Sequence, residues 1–310
     1  MGEKGAETSR DYPNGNRSLV MKSSVAFVRL GRFGFLGAFH KAHGVVNEAQ
    51  MDVIGRSVSV LGDDEHGLAA LLFFFLLVTD FHFRQHWFHW LAGEAASYDA
   101  CCLTGDLLDL FQGSQTGLRT QIRWVRDWLR EFPAPLYVCT GNHDWWPREE
   151  HVIDTHAEGG WLRNSARPGL VLDGASDQRS GYRFTCCPWA HTPAIETVVP
   201  SVVLVHAPPL ATPVSSEMGY EVGDPDVAAV IGRLAPGSLV LSGHVHEPRR
   251  WHAQVGPAWC FNPGVDFSRD EPNHVVIDTT TKEATFRGWG REIGPVRLGS
   301  KPAIDPPNRT

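Results

Sequence analysis

Residues 71–82 read LLFFFLLVTDFH, an apolar run that ends in a short polar block. An apolar run without polar alternation is typical of a strand that is buried on both faces of a sheet. The run is too short to cross a membrane, which takes about 20 apolar residues. The sequence therefore predicts a central strand over 71–78, with Asp80 and His82 directly beyond its carboxyl end.

The segment that follows alternates between helix and strand patterns. Apolar residues recur at helical spacing over 84–96 and 116–131, and Pro133 ends the second of these patterns. Short strands are predicted at 100–103 and 136–139. This βαβαβ order implies a parallel sheet with right-handed crossovers.

The second half of the sequence predicts further short strands and one capped helix, and its last strands are expected to be antiparallel. Asp224 and Pro225 mark the first turn of a helix, and residues 280–282 form a hairpin turn. From Arg291 onward the chain is Pro-rich and expected to be loose. Two packed mixed sheets with outer helices, an α/β fold, are the simplest architecture. The predicted strands of this half cover 170–172, 182–187, 202–205, 239–241, 249–254, 259–261, 274–278 and 284–289.

Composition excludes several classes of protein. The 310 residues are 42% hydrophobic with a net charge of -7, which is ordinary for a globular chain and excludes a largely disordered one. No basic run is present, so we expect no stable nucleic-acid binding. Six cysteines without a CxxC pair are typical of buried free thiols in a reducing compartment. With no secretory signal visible, we expect a cytoplasmic protein without membrane attachment.

Five polar blocks interrupt the apolar segments, and each follows a predicted strand. Side chains at the carboxyl ends of strands gather at one edge of an α/β sheet. Residues two apart face the same way, so Asp80 and His82 can bind one ion together. The donors in these blocks are oxygen and nitrogen atoms without a thiolate, and their number is larger than a single zinc ion binds. Such a set suits two divalent ions that share a carboxylate. The seven candidate donors are Asp80, His82, Asp106, Asn142, His206, His244 and His246.

The order of these blocks resembles the calcineurin-like metallophosphoesterase superfamily, in particular its bacterial phosphodiesterases and phosphatases. The resemblance covers roughly residues 71–289 and implies a two-sheet αββα sandwich. Segments HAPP at 206–209 and NPG at 262–264 are also similar to bacterial members. The blocks that carry the resemblance are DFH at 80–82, GD at 105–106, GNHD at 141–144, His206, and GHVH at 243–246.

The resemblance implies a role for each block. His143 would contact the phosphate and protonate the leaving oxygen, and it would stay off the metals. Asp109 and Asp144 are candidates for orienting His143 or the ligands. The implied ligand sets are Asp80, His82 and His246 for one ion, Asn142, His206 and His244 for the other, and Asp106 as the bridge.

The activity implied is hydrolysis of a small phosphoester. Two divalent ions about 3.5–4 Å apart hold a hydroxide, lower its pKa, and fix the phosphoryl oxygens for in-line attack. The donors suit Mn, Fe or Zn. We expect a phosphodiesterase; the alternatives are a phosphomonoesterase or nucleotide pyrophosphatase with the same site, and a non-catalytic scaffold with this fold. The sequence leaves the oligomeric state open.

Three segments are expected along the chain. Residues 1–69 show no sustained period and are interpreted as an extension, weakly ordered or covering the cleft, with Met51 as an alternative start. Residues 70–290 form the metallophosphoesterase domain, and 291–310 form a C-terminal tail. Unchanged activity after truncation to Met51 would exclude a lid function for the extension.

Aromatic residues near the blocks have two interpretations. Trp145 and Trp146 follow His143 directly and either wall the substrate cleft or pack in the core. His191, in PWAH at 188–191, could reach the substrate, but it is not assigned to the site.

Overall fold

A computed structural model describes residues 27–29, 36–38, 73–110, 116–145, 160–163, 165, 167–194 and 198–299. The chain divides into two compact units, Met1–Leu68 and Ala69–Thr310. In the first unit, strands β1 (Phe27–Arg29) and β2 (Leu36–Ala38) pair antiparallel. The predicted site lies in the second unit.

The second unit alternates helices and strands in its first half and is mostly strand in its second half. Its described helices are α1 (Gln85–Glu94), α2 (Leu118–Glu131), α3 (Asn142–Trp145), α4 (Gly160–Arg163) and α5 (Pro225–Ile231), with a 3-10 turn at Ala95–Ser97. Its described strands are β3 (Phe74–Val78), β4 (Ala100–Thr104), β5 (Leu136–Cys139), β6 (Leu170–Val171), β7 (Ser176–Arg179), β8 (Tyr182–Cys186), β9 (Ser201–Leu204), β10 (Ser216–Glu217), β11 (Tyr220–Glu221), β12 (Ser238–Leu241), β13 (His252–Val255), β14 (Ala258–Phe261), β15 (His274–Asp278), β16 (Glu283–Gly288) and β17 (Arg291–Arg297).

Two mixed sheets organise these strands. The seven-stranded sheet has the order β17-β16-β15-β3-β4-β5-β6, in which β3 to β6 run parallel and β15 to β17 are antiparallel. The six-stranded sheet has the order β13-β14-β12-β9-β8-β7, with a parallel centre. Strands β10 and β11 form a separate small hairpin.

Successive residues of a strand face opposite sides of its sheet, and the apolar side chains form three clusters between the layers. Leu76 of β3 faces the cluster that contains α1 and α2, while its neighbour Phe75 faces the second sheet. In the second sheet Leu204 faces the first, and Val203 packs in the cluster with Ile231 of α5. The layers are therefore helix, sheet, sheet and helix, which confirms the predicted αββα sandwich.

Several local predictions are confirmed. Strands β5 and β15 have the predicted bounds, and α2 ends at Glu131 as expected. Asp224 caps α5 by accepting the backbone N–H of Asp226 and Val227. All six cysteines are buried and free.

Among the described residues, no helix is long and apolar enough to span a bilayer.

Three predictions about the second half are wrong. Arg291–Arg297 is not loose but forms β17, an edge strand that pairs with β16. The strand expected from residue 249 begins only at His252, because the N–H groups of Arg249 and Arg250 donate to the carbonyls of Ser216 and Pro213. Strand β14 is antiparallel only to β13 and runs parallel to β12.

Candidate metal centre

The predicted site residues lie in five loops at one end of the sandwich. These loops follow β3, β4 and β5 of one sheet and β9 and β12 of the other. Because both sheets contribute parallel strands that end at the same side, the loops meet there. The structure thus brings together all seven predicted donors.

The backbone of this region adopts unusual conformations. A positive φ is uncommon for a residue with a side chain, and such conformations concentrate at functional sites. Four predicted donors have a positive φ: two in the loop after β3 and one each in the loops after β4 and β12. The φ values are 53° at Asp80, 42° at His82, 52° at Asp106 and 67° at His244.

Glycines allow the loops to approach one another closely. A Cβ on Gly141 would lie 2.5 Å from the backbone nitrogen of Asp106 and 2.8 Å from His206 Nε2. A Cβ on Gly243 would overlap the Thr79 hydroxyl. Glycine is therefore required at both positions if the donors are to converge.

Asp80, His82 and His246 form the first group of donors. The Nε2 atoms of His82 and His246 are 3.2 Å apart. Asp80 Oδ1 lies 3.9 Å from the first of these nitrogens and 3.7 Å from the second. One ion can therefore contact all three side chains.

Asn142, His206 and His244 form the second group. The side-chain oxygen of Asn142 lies 3.1 Å from both His206 Nε2 and His244 Nδ1. Asp106 stands between the two groups, with Oδ1 at 3.3 Å from His206 Nε2 and Oδ2 at 3.7 Å from His82 Nε2. The two oxygens of one carboxylate thus face different groups.

Hydrogen bonds fix the orientation of these side chains. His206 Nδ1 donates to the Thr104 carbonyl at 2.7 Å, which leaves the Nε2 lone pair directed at the other donors. Asp80 Oδ2 accepts the Thr79 hydroxyl at 2.7 Å and the backbone N–H of His244 at 3.0 Å. The donor set is therefore held in place by the fold.

His143 lies against His82 of the first group and against Asp106. Its Nε2 atom is 3.9 Å from Asp106 Oδ2, and its ring centre is 4.5 Å from that of His82. Its Nδ1 accepts the backbone N–H of Leu110 at 3.1 Å, so the proton of the neutral ring is on Nε2, toward the site. Burial lowers the pKa of His143, and the negative charges of Asp106 and Asp109 oppose this shift.

Asp109 and Asp144 have different surroundings. Asp144 is fully buried and accepts backbone N–H groups from Leu107, Leu108 and Gly141, so it ties the loops after β4 and β5 together. The backbone N–H of Asp109 donates to Gln121 of α2, and its carboxylate acts on His143 through charge.

The sequence also matches a known family over this part of the chain. The family model described as calcineurin-like phosphoesterase matches residues 75–248, which is more than half of the chain and contains all seven donors. The chain belongs to the calcineurin-like phosphoesterase family. Membership supports metal-dependent hydrolysis of phosphoesters.

Solved structures resemble this calcineurin-like phosphoesterase at low sequence identity. One aligns with a TM-score of 0.50 and 15% identity and covers 71% of this chain and 100% of that chain, which supports the fold alone. TT1561 of Thermus thermophilus aligns with a TM-score of 0.49 and 16% identity over 70% of this chain and 99% of its own. The E. coli phosphoesterase Yfce aligns with a TM-score of 0.38 and 13% identity over 73% and 99%. No curated protein matches the sequence.

The charges of the site fit the divalent ions that calcineurin-like phosphoesterases use. Asp80 and Asp106 are buried, and among the described residues their ion pairs are all with histidines. Burial raises the pKa of Asp80. Burial lowers the pKa of His82 to about 3 and that of His244 to about 4, so both rings are neutral and can bind a metal.

His206 and Asp106 interact through both charge and a hydrogen bond. Burial has the largest single effect and lowers the pKa of His206. The charge and hydrogen bond of Asp106, the charge of Asp80 and the hydrogen bond to Thr104 together outweigh burial and raise the pKa to about 9. Burial likewise opposes ionisation of Asp106, and His206 and His82 bring its pKa below the ordinary value. With this raised pKa the His206 ring carries an extra proton, and its positive charge balances the carboxylates. A bound divalent ion would supply that positive charge instead.

Aromatic rings border both donor groups of this phosphoesterase. Two of these rings, Trp189 and Phe267, were not predicted from the sequence. Trp189 has its ring centre 5.5 Å from His206 and 5.2 Å from His244. Phe267 is 5.5 Å from His82 and 5.2 Å from His246. Trp189 lies in the quoted PWAH segment, which was a signal, whereas nothing in the sequence around Phe267 points to the site.

Of the two tryptophans that follow His143, the structure describes Trp145. Trp145 is half-buried at the end of α3 and contacts His191, with ring centres 5.3 Å apart. The structure therefore places His191 near the blocks, although it was not assigned to the site. Trp146 lies outside the described residues.

Proposed function

We propose that this protein is a phosphodiesterase with a dinuclear metal centre. The position of Asp106 carries the proposal, because its two carboxylate oxygens face two separate groups of donors. A carboxylate placed in this way is suited to bridge two ions. The natural substrate would be a small phosphoester.

Each donor group would hold one ion, with Mn, Fe or Zn as candidates. When bound, such ions neutralise phosphoryl oxygens and make water nucleophilic at neutral pH. The proposed ligands are Asp80, His82 and His246 for one ion and Asn142, His206 and His244 for the other, bridged by Asp106.

His143 would act on the leaving oxygen. Because Nδ1 accepts the Leu110 N–H, the ring presents Nε2–H to the site, where it can donate a hydrogen bond. Proton transfer to the leaving oxygen requires the imidazolium, in which Nδ1 is protonated and no longer accepts the Leu110 N–H. Burial opposes this charged form, and the charges of Asp106 and Asp109 favour it. Asp106 Oδ1 also accepts the backbone N–H of His143 at 2.9 Å and so fixes its position.

Two aromatic rings support a preference for diesters. Trp189 borders one donor group and Phe267 borders the other. A phosphodiester carries two organic substituents, so one can lie on the side of Trp189 and the other on the side of Phe267, whereas a monoester has only one such substituent. The alternatives are a phosphomonoesterase or nucleotide pyrophosphatase with the same donors, and a non-catalytic scaffold.

Hydrolysis assays with matched substrates test this proposal. Metal-stripped protein is assayed with bis(p-nitrophenyl) phosphate and with p-nitrophenyl phosphate, before and after addition of Mn²⁺. We expect Mn²⁺ to restore turnover, with the higher kcat/KM for the diester. A higher kcat/KM for the monoester would favour a phosphatase, and metal binding without turnover of any phosphoester would favour the scaffold. Asp106→Asn serves as the inactive control.

Location and partners are part of the proposal. Six buried free thiols support a reducing compartment, and we propose the cytoplasm. The net charge of -7 supports a protein that acts on small molecules rather than on nucleic acids.

A further inference from the structure

We infer that an aromatic wall of Trp145, Trp189 and His191 binds a planar ring on the substrate ester. The inference rests on the proposed phosphoesterase function, since it concerns the group attached to the phosphate. No role in catalysis is required of these three side chains. They would select among phosphoesters by the shape of the organic substituent.

The wall lies directly beside the second donor group. The Trp189 ring centre is 5.2 Å from that of His244, so a substituent that leaves the phosphate on this side passes over the indole. The ring of His191 contacts that of Trp145 at 5.3 Å, and its Nδ1 donates to the backbone carbonyl of Trp189. Trp145 and Trp189 are half-buried and His191 is exposed, so part of the wall remains accessible.

A buried hydrogen-bonded chain fixes the position of Trp189. Its backbone N–H donates to the Thr140 hydroxyl at 3.0 Å, and that hydroxyl donates to Asp173 at 2.8 Å. Asp173 is only 6% exposed. Thr140 precedes Gly141 and Asn142, so the wall is attached to the same loop that carries a predicted ligand.

Two contacts tie His191 to the loop after β8, which carries Trp189. Its backbone carbonyl accepts the Cys187 thiol at 3.0 Å, and its Nδ1 donates to the Trp189 carbonyl at 3.0 Å. A surface that is already ordered loses little conformational freedom when a ring stacks on it, so the contact contributes to affinity.

Phe267, at the first donor group, is less suited to this task. Its ring is stacked on Trp87 at 5.8 Å and lies under the Arg84 guanidinium at 4.5 Å. These partners already occupy much of the ring. Phe267 therefore provides a matched control on the other side of the same centre.

Two small phosphonates separate the contribution of the ring from that of the phosphate. Phenylphosphonate and methylphosphonate carry the same anionic group, and only the first has a ring. Their binding to Mn²⁺-loaded protein is measured by calorimetry. We expect phenylphosphonate to bind about tenfold more tightly, a typical effect of aromatic contact with burial of the ring.

Three variants locate the contact. Trp189→Leu should abolish most of the tenfold preference and leave methylphosphonate binding unchanged. Trp189→Phe should retain much of the preference, and Phe267→Leu should retain all of it. A thermal melt of each variant establishes that it is folded. If Trp189→Leu is not folded, loss of the preference in Phe267→Leu overturns the inference, and its retention there supports the inference.

Failure of the inference differs from failure of the proposed function. If both phosphonates bind the wild-type protein equally, or if Trp189→Leu keeps the preference, the aromatic wall does not bind the ring. If Phe267→Leu alone removes the preference, the ring binds on the other side and the inference is wrong. If neither phosphonate binds the Mn²⁺-loaded protein, the proposed phosphoesterase function itself is contradicted.

Discussion

Gly141→Ala adds one methyl group at the centre of the proposed metal site. The new Cβ would lie 2.5 Å from the Asp106 backbone nitrogen, 2.8 Å from His206 Nε2, and closer still to Asp106 Oδ1. These groups cannot withdraw freely. Asp106 Oδ1 accepts the His143 N–H at 2.9 Å, and His206 Nδ1 is bonded to the Thr104 carbonyl at 2.7 Å.

The expected effect is large for metal binding and moderate for stability. Inserting a methyl group into a closely packed region costs about 1–3 kcal/mol. In a protein of this size that corresponds to a Tm lower by roughly 2–4 °C for each kcal/mol. Misplacing residues that position metal ligands weakens metal affinity by roughly 10–100-fold. We therefore expect a folded variant of Gly141→Ala that binds Mn²⁺ at least tenfold more weakly.

Calorimetric titration with Mn²⁺ and a thermal melt measure the two effects. Gly93→Ala is the matched control, since a Cβ at this exposed position of α1 meets nothing within 4 Å. Its metal affinity should equal that of the wild type, and its stability should be unchanged or higher by about 1 kcal/mol. Wild-type Mn²⁺ affinity in Gly141→Ala would refute the reasoning that these loops converge on a metal.

Three further outcomes are expected. His143→Ala should keep both metals and lower kcat by roughly 10²–10⁴-fold, measured by elemental analysis and turnover; loss of metal would make His143 a ligand instead. Asp106→Ala should lose metal as well as rate in the same two assays. Burial lowers the pKa of His274 from 6.5 to about 4, so the unfolded chain binds this proton more readily. The contribution of His274 to stability should therefore fall by up to about 3 kcal/mol as the pH drops from about 6.5 to 4, and His274→Phe should reduce the total fall by that amount in urea unfolding.

Strong local patterns made most of the fold predictable. The apolar run that ends at Val78 has no polar alternation, and β3 lies in the middle of a sheet with both faces covered. Strand β7 was missed because its sequence, SDQR, has no apolar residue to indicate a buried face. Strand β17 was missed because an edge strand with Gly294 and Pro295 resembles a loop until its partner β16 is known.

The candidate site was also predictable only in part. Its donors follow strands in short motifs, so their convergence could be predicted from the order of blocks along the chain. The contacts that hold Trp189 join residues far apart in sequence, with 49 positions between Trp189 and Thr140 and 33 between Thr140 and Asp173. No local pattern marks such partners. The function of Asp144 was unclear for the same reason, since it holds Leu107 and Leu108 from 37 and 36 positions away.

Electron paramagnetic resonance of the Mn²⁺-loaded protein tests most directly whether Asp106 bridges two ions. Metal-stripped protein is titrated with Mn²⁺ while turnover of bis(p-nitrophenyl) phosphate is followed in parallel. We expect the spectrum of two magnetically coupled ions to appear together with activity, and Asp106→Asn to lose both. A spectrum of isolated ions in fully active protein would contradict the dinuclear centre.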